Sequence, residues 1–271
     1  MEEQKKVFLP MKMGDLLDET FKIYRKHFLI FVQIFAMFNL PIIIIKTAMG
    51  FLEGPYGTVT AGFINIILSL LVLPVMNFLL ARTISDGYLG KKVTILSSFK
   101  HFDHLKFWSM MKTLLLSGLM IILGFLCLII PGFIFTFRYA LVPQIIAIEG
   151  IYNKPALERS QFLMKKNFGN LMTTGFVVGI IAYAIYGVIL LPMIIYIALH
   201  HGAGAAALAP TGLIMVSFSF SIEVLAAVVV TPLMLTAYTL FYYNMRIKKE
   251  GFDIQMLASS VAGEQGSVPV K

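Results

Sequence analysis

TLLLSGLMIILGFLCLII (Thr113–Ile130) runs directly into PGFIFTFRYALVPQIIAI (Pro131–Ile148), and the pair decides the class of this protein. The first stretch carries no charge, and the second carries one, Arg138. A hydrocarbon core of about 30 Å is crossed by about 20 helical residues. Within it, every backbone N–H and C=O needs a partner inside its own segment, so uncharged runs of this length read as helices. Pro131-Gly132 supplies the expected corner between them.

Four more runs of the same kind lie outward from this pair. They cover residues 28–45, with Pro41 inside and Lys46 at the far end, then 61–81, 171–199 and 213–243. Composition agrees: 58% of the 271 residues are apolar and 13% charged, against about 25% charged in a soluble domain. A soluble domain of this size has too little interior for so much apolar surface, and the mean hydropathy is +0.85. The expectation is an all-α, polytopic integral membrane protein with six transmembrane helices. Residues 1–249 would form a single membrane domain and 250–271 a polar cytoplasmic tail. The only cysteine, Cys127, lies in an apolar run and supports neither an internal disulfide nor a multi-thiolate metal site.

The net charge is +8, which in a soluble protein would raise nucleic-acid binding; here its placement matters more. Lys and Arg cluster before the first run, between the second and third, between the fourth and fifth, and after the sixth. The three opposite connections hold only Lys46. By the positive-inside rule both termini are cytoplasmic, in a plasma membrane of bacterial type. No nucleic-acid partner is expected.

Each of the first, third and fifth runs is preceded by a polar lead ending in a basic–aromatic junction: LLDETFKIYRKHF (Leu16–Phe28), TILSSFKHFDHLKF (Thr94–Phe107) and ALERSQFLMKKNF (Ala156–Phe168). In the first, Met13, Leu17, Phe21, Tyr24 and Phe28 share one helical face. The chain thus reads as three units, each an amphipathic interfacial helix (residues 9–27, 94–107 and 156–168) feeding a hairpin. Such helices dip apolar faces into the headgroup boundary while lysines meet lipid phosphates. Lys22, Arg25, Lys26, Lys100 and Lys106 are the candidate contacts to anionic headgroups. Glu149, Arg159, Lys165 and Lys166 are candidate contacts at the interface.

Arg138 and Glu223 fall inside spans, where a lone charge is costly. Both are placed by counting in the outer half, so they are expected to pair, as a structural tie or as part of a polar route. Catalytic signatures are missing: there is no Walker loop, GxSxG elbow, HExxH or convergent carboxylate set. No catalytic residue, cofactor site or metal site is therefore assigned.

MGDLLDETFKIYRKHF (Met13–Phe28), IIPGFIFTFRYALVPQIIAIEG (Ile129–Gly150) with PALERSQFLMKKNF (Pro155–Phe168), and YTLFYYNMRIKKEGFDIQML (Tyr238–Leu257) resemble the glycerophosphoryl diester phosphodiesterase membrane-domain family. Pro131, Gly132, Arg138 and Glu149 match its central signature, and Arg246, Glu250, Gly251 and Asp253 its final one. The sequence departs from the pattern at Gln161 and Gly169, where tryptophan is usual, and at Asn244, a position often acidic. The resemblance implies a stand-alone membrane domain without the catalytic barrel. Its role would then be non-enzymatic: a lipid-interacting scaffold or accessory module in envelope or lipid metabolism, with a separate membrane or hydrolase partner. The competing expectation is a small transporter or an export- or immunity-type permease component using the Arg138–Glu223 route.

Overall fold

Leu16, Thr20, Ile23, Phe31 and Ile34 recur at spacings of three, four and eight residues, one helical face, and are all buried, so the first lead does form a helix with an inward stripe. That stripe is rotated by one position from the expected face of Leu17, Phe21, Tyr24 and Phe28, which is only half-buried. Nothing in the sequence interrupts the helix where the lead should give way to a span. In the computed structural model, α1 accordingly runs unbroken over Met13–Leu52. The expected boundary at 27/28 is absent, because no glycine, proline or capping residue stands there to end a helix.

The remaining helices are α2 (Gly57–Tyr88), α3 (His104–Cys127), α4 (Ile129–Arg138), α5 (Val142–Glu149), α6 (Asn153–Met164), α7 (Phe168–His200) and α8 (Ala209–Glu250). The structure describes residues 9–52, 57–94, 99, 104–200, 209–252 and 254. Several side chains at the helix ends remote from the tail, Glu223 among them, fall outside that description, as does Lys100. Most of the second lead also lies outside the described residues. Among the described residues four stretches are long and apolar enough to cross a membrane: Ile66–Tyr88, Lys106–Cys127, Ile129–Glu149 and Phe168–Pro192. The chain is an all-helical integral membrane protein.

α1, α2, α7 and α8 form the main body, with α1 packed on α2 and α8, and α7 on α8. The start of α1 is tied to the end of α8: the Met11 N–H donates to Asn244 Oδ1 (2.9 Å), and Asn244 Nδ2 donates to the Met11 carbonyl (3.0 Å). Higher up, the Tyr24 hydroxyl donates to the Val229 carbonyl (3.0 Å). The densest core lies at this pole, where α2 ends against α8. There Ser85 and Tyr243 share a hydroxyl hydrogen bond of 2.6 Å, and the rings of Tyr88, Tyr243 and Phe252 pack in sequence at tilted angles. His27 packs on Gly87 of α2 rather than facing outward.

The expected corner at Pro131-Gly132 is displaced. Leu128 alone is non-helical, with extended φ and ψ of −167° and 154°, and Pro131 sits in the first turn of α4. Proline suits that turn because the first turn's N–H groups have no intrahelical partner. Gly124 and Gly132 let α3 and α4 touch. A Cβ on Gly132 would lie 2.4 Å from the Phe125 ring, and one on Gly124 would lie 3.0 Å from Gly132 Cα.

The expected span 132–148 is likewise broken. α4 stops at Arg138, and a turn over Tyr139–Leu141 redirects the chain into α5, whose Val142, Gln144, Ile145, Ile146 and Ala147 are buried. The third lead does form a separate helix, α6. Ala156, Leu157, Ser160, Leu163 and Met164 are buried on it, so it is packed into the protein against α3 and α5.

Candidate functional site

Two constructions at the tail-bearing pole bring charged side chains together. The first grows from the break between α4 and α5. A break leaves backbone groups without helical partners, and the fully buried Ser160 of α6 serves two of them. Its hydroxyl donates to the Arg138 carbonyl (2.7 Å) and accepts from the Leu141 N–H (3.3 Å). That clamp fixes α6 beside Arg138. The Phe137 ring meets the Phe168 ring edge-on at 4.4 Å, which sets the start of α7 at the same level.

Between these elements opens a cleft of about 610 Å³. Arg138, Lys165 and Lys166 supply its cations, Phe137, Phe162 and Phe168 its aromatic wall, and Glu158 its one carboxylate. Among the described residues none of the three cations makes an ion pair, whereas Glu158 faces Lys154 at 3.7 Å. Lys166 holds φ at +64°, a left-handed conformation costing a non-glycine residue about 1 kcal/mol. Lys249 of α8 braces two residues of the cleft lining: its ammonium donates to the carbonyls of Phe162 (2.5 Å) and Lys165 (2.7 Å). It also lies 5.1 Å from the centre of the Phe162 ring. Burial and the charge of Lys165, opposed by Glu250, lower its pKa.

The second construction is a charge network around Arg159. Its Nε donates to Glu149 Oε2 (2.9 Å), and its Nη2 donates to Glu149 Oε1 (3.1 Å) and Glu250 Oε2 (2.9 Å). Its Nη1 donates to Glu250 Oε1. Arg246 donates to Glu250 Oε2 (3.2 Å), and the Tyr242 hydroxyl donates to Glu149. The planar guanidinium fork permits one residue to bind two carboxylates at once. Burial pushes the Glu250 carboxyl up. The hydrogen bonds and charges of Arg159 and Arg246 outweigh that, leaving it below the ordinary carboxylate value. Gly251, at φ +59°, turns the chain so that Phe252 reaches back under Arg246, 4.2 Å from ring centre to guanidinium.

The sequence-derived candidates distribute as follows. Glu149 and Arg159 meet directly, while Lys165 and Lys166 belong to the neighbouring cleft. Arg138 joins that cleft. The Glu223 side chain lies outside the described residues, so the expected pairing of Arg138 with Glu223 falls outside what the structure describes. Lys22, Arg25 and Lys26 lie on the exposed face of α1, with Lys22 3.5 Å from Glu19. Lys106 is exposed at the base of α3, and Lys100 lies outside the described residues. Tyr242, Ser160 and Lys249 were not singled out by the sequence; a tyrosine and a lysine on one face of a helix end carry no signal without the partners. No group of three His, Cys, Asp or Glu able to hold a metal occurs among the described residues. No protein-family model, curated protein or solved structure matches this chain.

Proposed function

We propose that this protein is a non-enzymatic membrane module that holds anionic lipid headgroups at its tail-bearing pole, with that pole and both termini in the cytoplasm. The observation that carries the reading is the cleft: three cations without an ion pair among the described residues, one carboxylate and three aromatic rings at the level where α6 hands over to α7. Cations meet phosphate oxygens at the membrane surface, and aromatic rings favour the headgroup level. The charge network beside it ties Arg159 and Arg246 to Glu149 and Glu250, which suits a rigid frame better than acid–base chemistry. The resemblance to the glycerophosphoryl diester phosphodiesterase membrane-domain family supports a scaffold or accessory role in lipid or envelope metabolism, with a separate hydrolase or membrane protein as partner.

The test is native mass spectrometry of the purified full chain with matched anionic and zwitterionic phospholipids. Anionic adducts are expected to dominate, and Arg138→Gln, Lys165→Gln and Lys166→Gln should each weaken them about five-fold, since a cation at the surface contributes about 1 kcal/mol. Equal retention of both lipid classes would refute the proposal.

A further inference from the structure

The α3–α4 hairpin is too short on one side to reach across a bilayer. Arg138 ends α4 level with Lys165, Lys166 and the first residue of α7. From Arg138 back to the corner at Leu128 is ten residues, at most about 15 Å of helix whatever its tilt. That is half of a hydrocarbon core of about 30 Å. For the corner to reach the opposite surface, Arg138, Lys165 and Lys166 would have to sit unpaired in hydrocarbon, together with the start of α7.

The corner itself has the chemistry of a segment surrounded by acyl chains. Leu126, Leu128, Ile129 and Ile130 are 76%, 69%, 69% and 74% exposed, and no charged residue stands between Lys112 and Arg138. A turn meeting water would carry polar residues; this one offers a solid apolar tip. Its backbone is nearly self-sufficient. The Leu128 N–H donates to the Gly124 carbonyl (3.1 Å), its carbonyl accepts from the Gly132 N–H (3.3 Å), and Pro131 has no N–H to satisfy. In hydrocarbon that economy is required. The hairpin also stands apart from the main body: it is anchored at its base by α5 and α6, and its flanks, Leu119, Ile122, Phe133 and Ile134 among them, are exposed.

We infer that α3 and α4 form a re-entrant hairpin, which enters and leaves through the face bearing the basic pole and ends near the bilayer midplane. Its partner is therefore the acyl-chain interior of one leaflet. Four helices, α1, α2, α7 and α8, then make the crossings in place of the six expected from the sequence, and the termini remain on one side. The inference rests on the basic pole lying at a membrane surface, though not on which lipid the cleft holds.

Cys127, the chain's only cysteine and exposed beside the corner, is a native probe. Spin-labelled in the full chain and reconstituted, it is expected to be relaxed by oxygen and shielded from a water-soluble nickel chelate, at a depth within about 5 Å of the midplane. In intact cells an impermeant maleimide should leave Cys127 unmodified. A depth at either headgroup region, or labelling of Cys127 from outside, would overturn the hairpin. In a Cys127→Ser background, Gly204→Cys should be labelled from outside and Lys154→Cys only after permeabilisation. The reverse pattern would overturn the proposed orientation while leaving the hairpin standing on its measured depth.

Discussion

Arg159→Ala removes the hub of the charge network and leaves Glu149 and Glu250, among the described residues, with Arg246 as the cation within ion-pair distance of both. Breaking a fully buried pair costs about 3–5 kcal/mol because a charge is stranded. Here the side chains of Arg159, Glu149 and Glu250 keep 23%, 12% and 15% of their exposure, so solvent relieves part of that cost. The expected destabilisation is about 2–3 kcal/mol, which for a chain of this size lowers the apparent melting temperature by roughly 5–10 °C. Fluorescence-monitored unfolding in a single detergent measures it. Removing the stranded charges as well, in Arg159→Ala/Glu149→Gln/Glu250→Gln, is expected to recover about half the loss, because neutral amides are cheaper to leave unpaired than carboxylates. Arg159→Lys should lose nearly as much as alanine, since an ammonium cannot span both carboxylates as the fork does. A single-variant shift under about 2 °C, or no recovery in the triple variant, would refute the reasoning.

Other outcomes follow from the same geometry. Because the folded pKa of Glu250 is depressed, its contribution is complete above the ordinary value of 4.5 and is lost as the pH falls through the lower folded value. Glu250→Gln should therefore flatten the acid limb of a melting-temperature-against-pH profile. Ser160→Ala leaves the buried Leu141 N–H without its partner and is expected to cost about 1–3 kcal/mol in the same unfolding assay. Gly124→Ala drives a Cβ to 2.6 Å from the Phe135 ring and 3.0 Å from Gly132 Cα, an overpacking expected to cost about 1–3 kcal/mol. Lys166→Gly separates binding from folding. Relief of the left-handed strain, about 1 kcal/mol, nearly cancels glycine's entropic cost of about 0.5–1 kcal/mol. Anionic-lipid adducts should fall in native mass spectra while the melting temperature stays put.

Hydropathy made the helical class and the membrane solvent legible, because apolar length is a property of consecutive residues. It also located the helix ends remote from Gly and Pro poorly. The first lead and span share one helix because nothing at 24–31 interrupts it, and a change from polar to apolar composition is not a stop signal. The third lead was recognisable as a helix but not as a buried one. Its burial depends on α3 and α5 closing over it, and Ser160 gains its meaning only from a break in α4–α5 that no glycine announces. The neighbours of Arg138 were hidden for the same reason: the turn at Tyr139–Leu141 sets the arginine beside Lys165 and Lys166 of the next connection. Glu149 and Arg159 could be associated from charge and proximity, whereas Glu250 and Arg246 reach them across tertiary distances that a single sequence does not encode.

The clasp between Met11 and Asn244 joins residues 233 positions apart. At a synthesis rate of about 5–20 residues per second, the amino-terminal helix must wait roughly 10–50 s for the helix that completes its packing. During that interval the inward stripe of α1 packs on α2 without the second of its two main partners, α8. Ribosome-bound chains arrested before Asn244 should consequently present an open lateral seam to insertion factors and proteases, one that shuts only when the last helix enters.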